Sequence, residues 1–222
     1  MMRVLVLRPE PGASATVERA RKRGLDAIAL PLFEIVRLGW AAPEASGFDG
    51  LLLTSANAVR CAGEQLKDLQ ALPVYAVGEA TAEAAREAGF DVAATGDGGV
   101  DRLLGSIDPE LKLLHLAGAD RSVPDKPRQE IRSIPVYQAK SKESADLSVA
   151  PNSIALIHSP RAGRRFAELM AGDKASVTIA AISREAADAA GAGWAGVEVA
   201  EAPNDEALLA LTERLCNKAP AR

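Results

Sequence analysis

Hydrophobic positions fall in short continuous runs rather than in strict alternation: "RVLVLRP" from Arg3, "AIALPLFEIV" from Ala27, "GLLLTS" from Gly50 and "VYAVG" from Val74. Between them lie longer Ala-, Glu- and Arg-rich stretches with helical spacing, such as "ASATVERARKRG" from Ala13 and "EATAEAAREAG" from Glu79. Strands that are apolar along both faces and alternate with helices predict an α/β fold, with parallel sheets covered on both sides.

The same rhythm recurs later, and the two passes align. "LLLTSANAVR" (Leu51 to Arg60) rhymes with "IALIHSPRAGRR" (Ile154 to Arg165), and "VYAVG" with "IAAIS" (Ile179 to Ser183). From Ser55 to Gly78 is 23 residues, and from Ser159 to Ser183 is 24. "ALPLFEI" matches "SIPVYQA", setting Phe33 against Tyr137; "VAATGDGGVDRLL" matches "VAEAPNDEALL", and "RVLVLRP" matches "KLLHLAG". Such self-similarity predicts an internal duplication of one α/β unit.

Composition sharpens this picture. A chain of 222 residues has material for two compact cores, and 48% hydrophobic with 25% charged and 4% aromatic residues fits a soluble α/β protein. A net charge of −4, with Lys and Arg scattered, argues against a nucleic-acid partner. Cys61 and Cys216 sit in helical patterns without a second thiol at ligand spacing, so reduced, buried thiols in a reducing compartment are expected. The apolar run at the start is too short for a secretion signal, and none later is long enough to cross a membrane, so the expected location is the cytoplasm with no membrane partner. His115 and His158 have no neighbouring ligand cluster and read as packed or capping residues, and no metal site is expected.

In parallel α/β sheets, ligands gather outside the carboxyl ends of the strands. Here those ends carry Arg8, Thr54-Ser55-Ala56-Asn57, Gly78-Glu79-Ala80-Thr81, Gly118, Ser159-Pro160-Arg161 and Ser183-Arg184. They are rich in donors, and several open predicted helices, which favours an anionic ligand. Ser, Thr and Asn are also ordinary helix N-caps, so each position has a purely structural reading beside the functional one. No GxGxxG, GxxxxGK[ST], GxSxG or HExxH motif occurs, so nucleotide, acyl-transfer and zinc-hydrolase chemistry lack their markers.

The ordered set "LLLTSANAVR", "VYAVGEATAEAAREAGFDV", "LLHLAG", "IPVYQA", "IALIHSPRAGRRFAEL" and "APNDEALLALTERL" resembles the uroporphyrinogen-III synthase family over nearly the whole chain. The resemblance implies two α/β domains joined by a two-stranded β connector. Domain one would comprise residues 1–35 plus 142–222 and domain two residues 36–141, with connectors near Phe33 to Leu38 and Val136 to Ser141. It implies cyclisation of hydroxymethylbilane, with loss of water and inversion of the last pyrrole ring, by a monomer without cofactor or metal. A transient contact with hydroxymethylbilane synthase is implied as well. The substrate's eight carboxylates suit donor-rich loops.

In that light Tyr137 matches the tyrosine that helps the hydroxyl leave, as a phenol that can donate without carrying charge. Arg8, Ser55, Asn57, Gly78, Thr81, Gly118, Ser159, Arg161, Ser183 and Arg184 are expected to bind substrate. Thr81 matches a family threonine, whereas its repeat counterpart is Ala186; Glu79 places a negative charge where Arg184 stands in the other copy. The carboxylates are therefore expected to favour the C-terminal copy, through Ser159, Arg161, Ser183 and Arg184. Two other readings of the residues stay open: a two-domain protein that closes on an anion without turnover, and a sugar-phosphate isomerase using Glu79 or His158 as base.

Overall fold

The computed structural model describes residues 2–120, 124–125, 127–143 and 145–218. The chain divides into two units, one of residues 1–34 and 141–222 (the terminal unit) and one of residues 35–140 (the middle unit).

The terminal unit holds a sheet of five strands: β1 (Arg3–Val6), β2 (Ala27–Ala29), β9 (Ser153–Ile157), β10 (Thr178–Ala181) and β11 (Gly196–Val199), in the order β11-β10-β9-β1-β2 and parallel throughout. Helices α1 (Gly12–Lys22), α5 (Pro160–Leu169), α6 (Arg184–Ala190) and α7 (Asp205–Lys218) complete it. Val4 and Val6 of β1 and Ile154 and Leu156 of β9 are buried with Ala13, Val17 and Ala20 of α1 and Leu208 and Leu209 of α7. Adjacent residues of a strand point to opposite faces, so alternate positions feed this core.

The middle unit holds β3 (Phe33–Arg37), β4 (Gly50–Leu53), β5 (Val74–Val77), β6 (Val92–Gly96), β7 (Lys112–Gly118) and β8 (Glu130–Ser141), in the order β3-β8-β7-β4-β5-β6. Its helices are α2 (Ala56–Ala62), α3 (Glu79–Glu87) and α4 (Val100–Ser106). Leu51, Leu53, Leu114 and Leu116 point into one core with Ala58, Ala82 and Ala85, while Leu52 and Leu113 point to the other face, against Leu103 and Leu104 of α4. All four β4 residues are therefore buried, as a run of apolar residues without alternation requires.

The two sheets repeat one plan. β2-β1-β9-β10-β11 matches β8-β7-β4-β5-β6 strand for strand, the correspondence expected from the sequence rhymes. The chain passes between units at residues 34–35 and 140–141, within β3 and at the end of β8, and these two strands are neighbours. β8 runs for 12 residues, longer than the expected Val136 to Ser141 segment, because its first half pairs with β7 as a full member of the sheet.

Candidate active site

In each sheet the chain order reverses once: between β1 and β9 in the terminal unit, and between β7 and β4 in the middle unit. Loops leaving the two strands at such a point diverge to opposite faces and open a crevice at their carboxyl ends, where α/β proteins bind ligands. Arg8 and Ser159 follow the strands flanking the first reversal; Gly118 and Ser55 lie at the second.

Three of the expected serines are helix caps. Ser55 Oγ accepts from Asn57 N at 3.2 Å, Ser159 Oγ from Ala162 N at 3.2 Å, and Ser183 Oγ from Ala186 N at 3.3 Å. A cap uses an oxygen lone pair and leaves the hydroxyl proton available to a ligand. Asn57 lies in the first turn of α2 and Arg184 opens α6, exposed. Gly78 caps α3, its carbonyl accepting from Thr81 N at 3.0 Å. Thr81 is only 5% exposed, on the inner face of α3. Arg161 sits over the Phe33 ring at 4.7 Å, where the ring quadrupole favours a cation. Glu79 is tied to Arg86 at 2.7 Å, which offsets the negative charge that its position brings.

Tyr137 is half-buried in β8 and packs against the edge of the middle unit's main core. Opposite it in the ladder stands Gly118, the last residue of β7. A Cβ there would come within 2.9 Å of the ring Cζ and 3.1 Å of Oη. Only glycine at this position leaves room for the phenol where it lies, against the end of β7.

The polar centre of the terminal unit was not apparent from sequence. Asp205, first residue of α7, receives Arg19 Nε at 2.9 Å and Nη2 at 2.6 Å on one oxygen. Its other oxygen meets His158 Nε2 at 2.9 Å and Thr16 Oγ at 3.1 Å, with Arg8 Nη1 3.7 Å away. Burial alone pushes the Asp205 carboxyl up, but hydrogen bonds from His158 and Arg19, together with their charges, hold it well below the usual carboxylate range. Burial pushes the His158 imidazole down, more than its bond to Asp205 raises it. A neutral imidazole beside a carboxylate carries its proton on Nε2. Burial also lowers Arg8, opposed by Asp205. Asp205 is 189 residues from Thr16, so only the fold joins them; "APNDEALL" shows no more than a helix start, which Asn204 caps through Ala207 N at 2.9 Å.

His115 is more deeply buried, at 1% exposure, with Thr54 Oγ 3.1 Å from Nε2 and Ser133 Oγ 3.3 Å from Nδ1, which links β7 to β8 and to the residue that follows β4. Both histidines are thus packed and hydrogen-bonded. Both cysteines are free thiols; Cys61 is buried, whereas Cys216 is half-buried rather than enclosed, because it lies near the end of α7. Among the described residues no group of three His, Cys, Asp or Glu side chains is placed to hold a metal, and no helix is long and apolar enough to cross a membrane.

The profile of the family described as Uroporphyrinogen-III synthase HemD matches residues 14–210. The uroporphyrinogen-III synthase of Chlorobaculum parvum is 33% identical over 101 residues, and the aligned stretch spans 41% of this chain and 41% of that protein. Among solved structures, the uroporphyrinogen-III synthetase of Helicobacter pylori 26695 superposes with a TM-score of 0.69 at 20% identity, covering 97% of this chain and all of that one (100%). A mutant uroporphyrinogen III synthase from the extremely thermophilic bacterium Thermus thermophilus gives a TM-score of 0.55 at 20% identity, covering 99% and 100%. These two likenesses establish the fold. Since the family profile covers most of the chain and reaches into both units, the chain belongs to the uroporphyrinogen-III synthase family.

Proposed function

We propose that this protein cyclises hydroxymethylbilane with loss of water and inversion of the last ring, giving uroporphyrinogen III, as a cofactor-independent hydro-lyase of tetrapyrrole biosynthesis. The observation that carries the reading is the match of residues 14–210 to the family profile, supported by the donor-rich residues at the strand ends.

The chemistry asks for two things. The electron-rich terminal pyrrole expels its hydroxyl, and the cation that forms must meet the far end of the chain in the orientation that inverts the ring. Tyr137 serves the first: its O–H donates to the departing hydroxyl, neutralising charge as the carbon–oxygen bond breaks. A phenol seated on Gly118 is held in one place for that task. Positioning serves the second, since holding a flexible linear molecule in its closing geometry removes most of the entropic barrier. Arg8, Arg161 and Arg184 meet substrate carboxylates as charge-assisted pairs. Ser55, Asn57, Ser159, Ser183 and the backbone at Gly78 and Gly118 add neutral hydrogen bonds. Thr81, being buried, contributes by fixing the first turn of α3 behind Gly78. The protein acts as a monomer in the cytoplasm, in two domains of residues 1–35 plus 142–222 and 36–141, and takes the bilane by transient contact with the enzyme that makes it.

The alternatives are less well supported. Glu79 is paired with Arg86, and His158 is enclosed with its Nε2 engaged by Asp205, so neither is placed as a base for a sugar phosphate. Mixing purified protein with fresh hydroxymethylbilane separates synthase from binding protein. A synthase shortens the lifetime of the bilane in proportion to enzyme; a protein that only binds it lengthens that lifetime, which would overturn the reading.

A further inference from the structure

We propose that Asp205 is a positioning residue that sets substrate affinity through Arg8, and that Gly12 is the seat on which the Arg8 guanidinium rests. The inference builds on the reading of Arg8 as an anchor for a substrate carboxylate.

Asp205 has short bonds to Arg19, His158 and Thr16, whereas Arg8 Nη1 stands 3.7 Å from it and 3.5 Å from Thr16 Oγ. Both contacts exceed the 2.7–3.2 Å of ordinary hydrogen bonds. The carboxylate therefore draws the guanidinium into place without using up its donors. Two guanidinium groups, Arg8 and Arg19, share this one carboxylate, which leaves positive charge at the reversal between β1 and β9. A planar fork of N–H groups in that state matches a carboxylate.

The opposite edge of the fork lies on Gly12, first residue of α1. A Cβ at Gly12 would come within 2.6 Å of Arg8 Nε and 2.9 Å of Cζ, so any larger residue moves the guanidinium. The duplicated unit shows that the fold itself does not need this arrangement. Aligning Ser55 with Ser159 through the strand registers puts Ala117 at the place of Arg8, Thr54 at that of His158 and Val100 at that of Asp205. The middle unit builds the same sheet with none of the three.

The test measures KM and kcat for bilane cyclisation, with melting temperature on the same preparations of the full chain. Gly12→Ala displaces the guanidinium and leaves the short bonds of Asp205 to Arg19, His158 and Thr16 in place; KM should rise about tenfold, the scale of one charge-assisted hydrogen bond. Its melting temperature should hold or rise, since Ala favours a helix over Gly. Arg8→Gln should raise KM equally, and neither Gly12→Ala nor Asp205→Asn should raise it further in that background. Thr16→Val, which keeps the shape and removes the hydroxyl between Arg8 and Asp205, should raise KM about threefold, and it stands in if Asp205→Asn fails to fold. Unchanged KM in Gly12→Ala, effects that multiply with Arg8→Gln, or a loss of melting temperature at Asp205 or Thr16 without a change in KM would overturn the proposal. Wild-type protein that makes no isomer III would instead refute the synthase reading, and the proposal with it, before any variant is compared.

Discussion

Gly118 and Tyr137 stand opposite each other at the end of the β7–β8 ladder, the phenol so close that a methyl group on Gly118 would sit 2.9 Å from its Cζ. Gly118→Ala must therefore push the ring away, and the strand cannot give because both neighbours are in the sheet. The substitution should cost about 1–3 kcal/mol, as overpacking does, and lower the rate of isomer III formation. Thermal melting and initial rates on the same sample check it. A variant with normal rate and normal melting temperature would show that the seat is not needed.

Tyr137→Phe keeps the packed ring and removes only the hydroxyl. Turnover should fall about 10²- to 10⁴-fold, the usual worth of general acid assistance, with the melting temperature nearly unchanged. What product remains should still be mainly isomer III, because the many positioning contacts that direct ring closure are intact. If the residue were merely structural, turnover per folded molecule would be normal and stability would drop.

Asp205→Asn removes the negative charge that His158, Thr16 and Arg19 share and turns one of its two accepting oxygens into a donor. A loss of about 2 kcal/mol or more is expected at neutral pH, since a partly buried pair is broken from one side. The folded carboxyl lies below its unfolded value, so this stabilisation is complete above the ordinary Asp pKa of about 3.9 and fades as pH falls further below it. The melting temperatures of wild type and variant should therefore be furthest apart near pH 7 and converge in strong acid. A gap that stays constant with pH would count against the charge.

His158 titrates in the opposite range. Its folded pKa lies below the ordinary value of about 6.5, so as pH falls through 6.5 the unfolded chain takes up the proton first and stability is lost. Wild-type melting temperature should decline between pH 7.5 and 5.5, and His158→Asn should flatten that decline. An equal slope in both proteins would contradict the assignment.

Much of the fold was legible because its signals are local. The unbroken Leu51–Leu53 run could be nothing but a strand covered on both faces, and Ser159-Pro160 announced a helix start that Ser159 does cap. Pairing "KLLHLAG" with "RVLVLRP" gave the right equivalence, since β7 and β1 hold the same place in their sheets. The length of β8 was not legible: its first residues are mostly half-buried or exposed, and their strand pairing comes from β7. The Asp205 cluster was hidden for a related reason. Arg8, Thr16, Arg19, His158 and Asp205 each look like a surface or cap residue alone, and their meeting depends on α1 and α7 sharing one core with the strands of the terminal sheet. The seat of Tyr137 on Gly118 is likewise a property of register, which no single residue encodes.

The most direct measurement is isomer analysis of the product formed from fresh hydroxymethylbilane by the purified chain, in a buffer containing neither metal nor nucleotide. Ring closure without enzyme leaves the last ring uninverted. The account predicts that isomer III rises with enzyme concentration until it dominates. A product that stays the uninverted isomer at every enzyme concentration would contradict it.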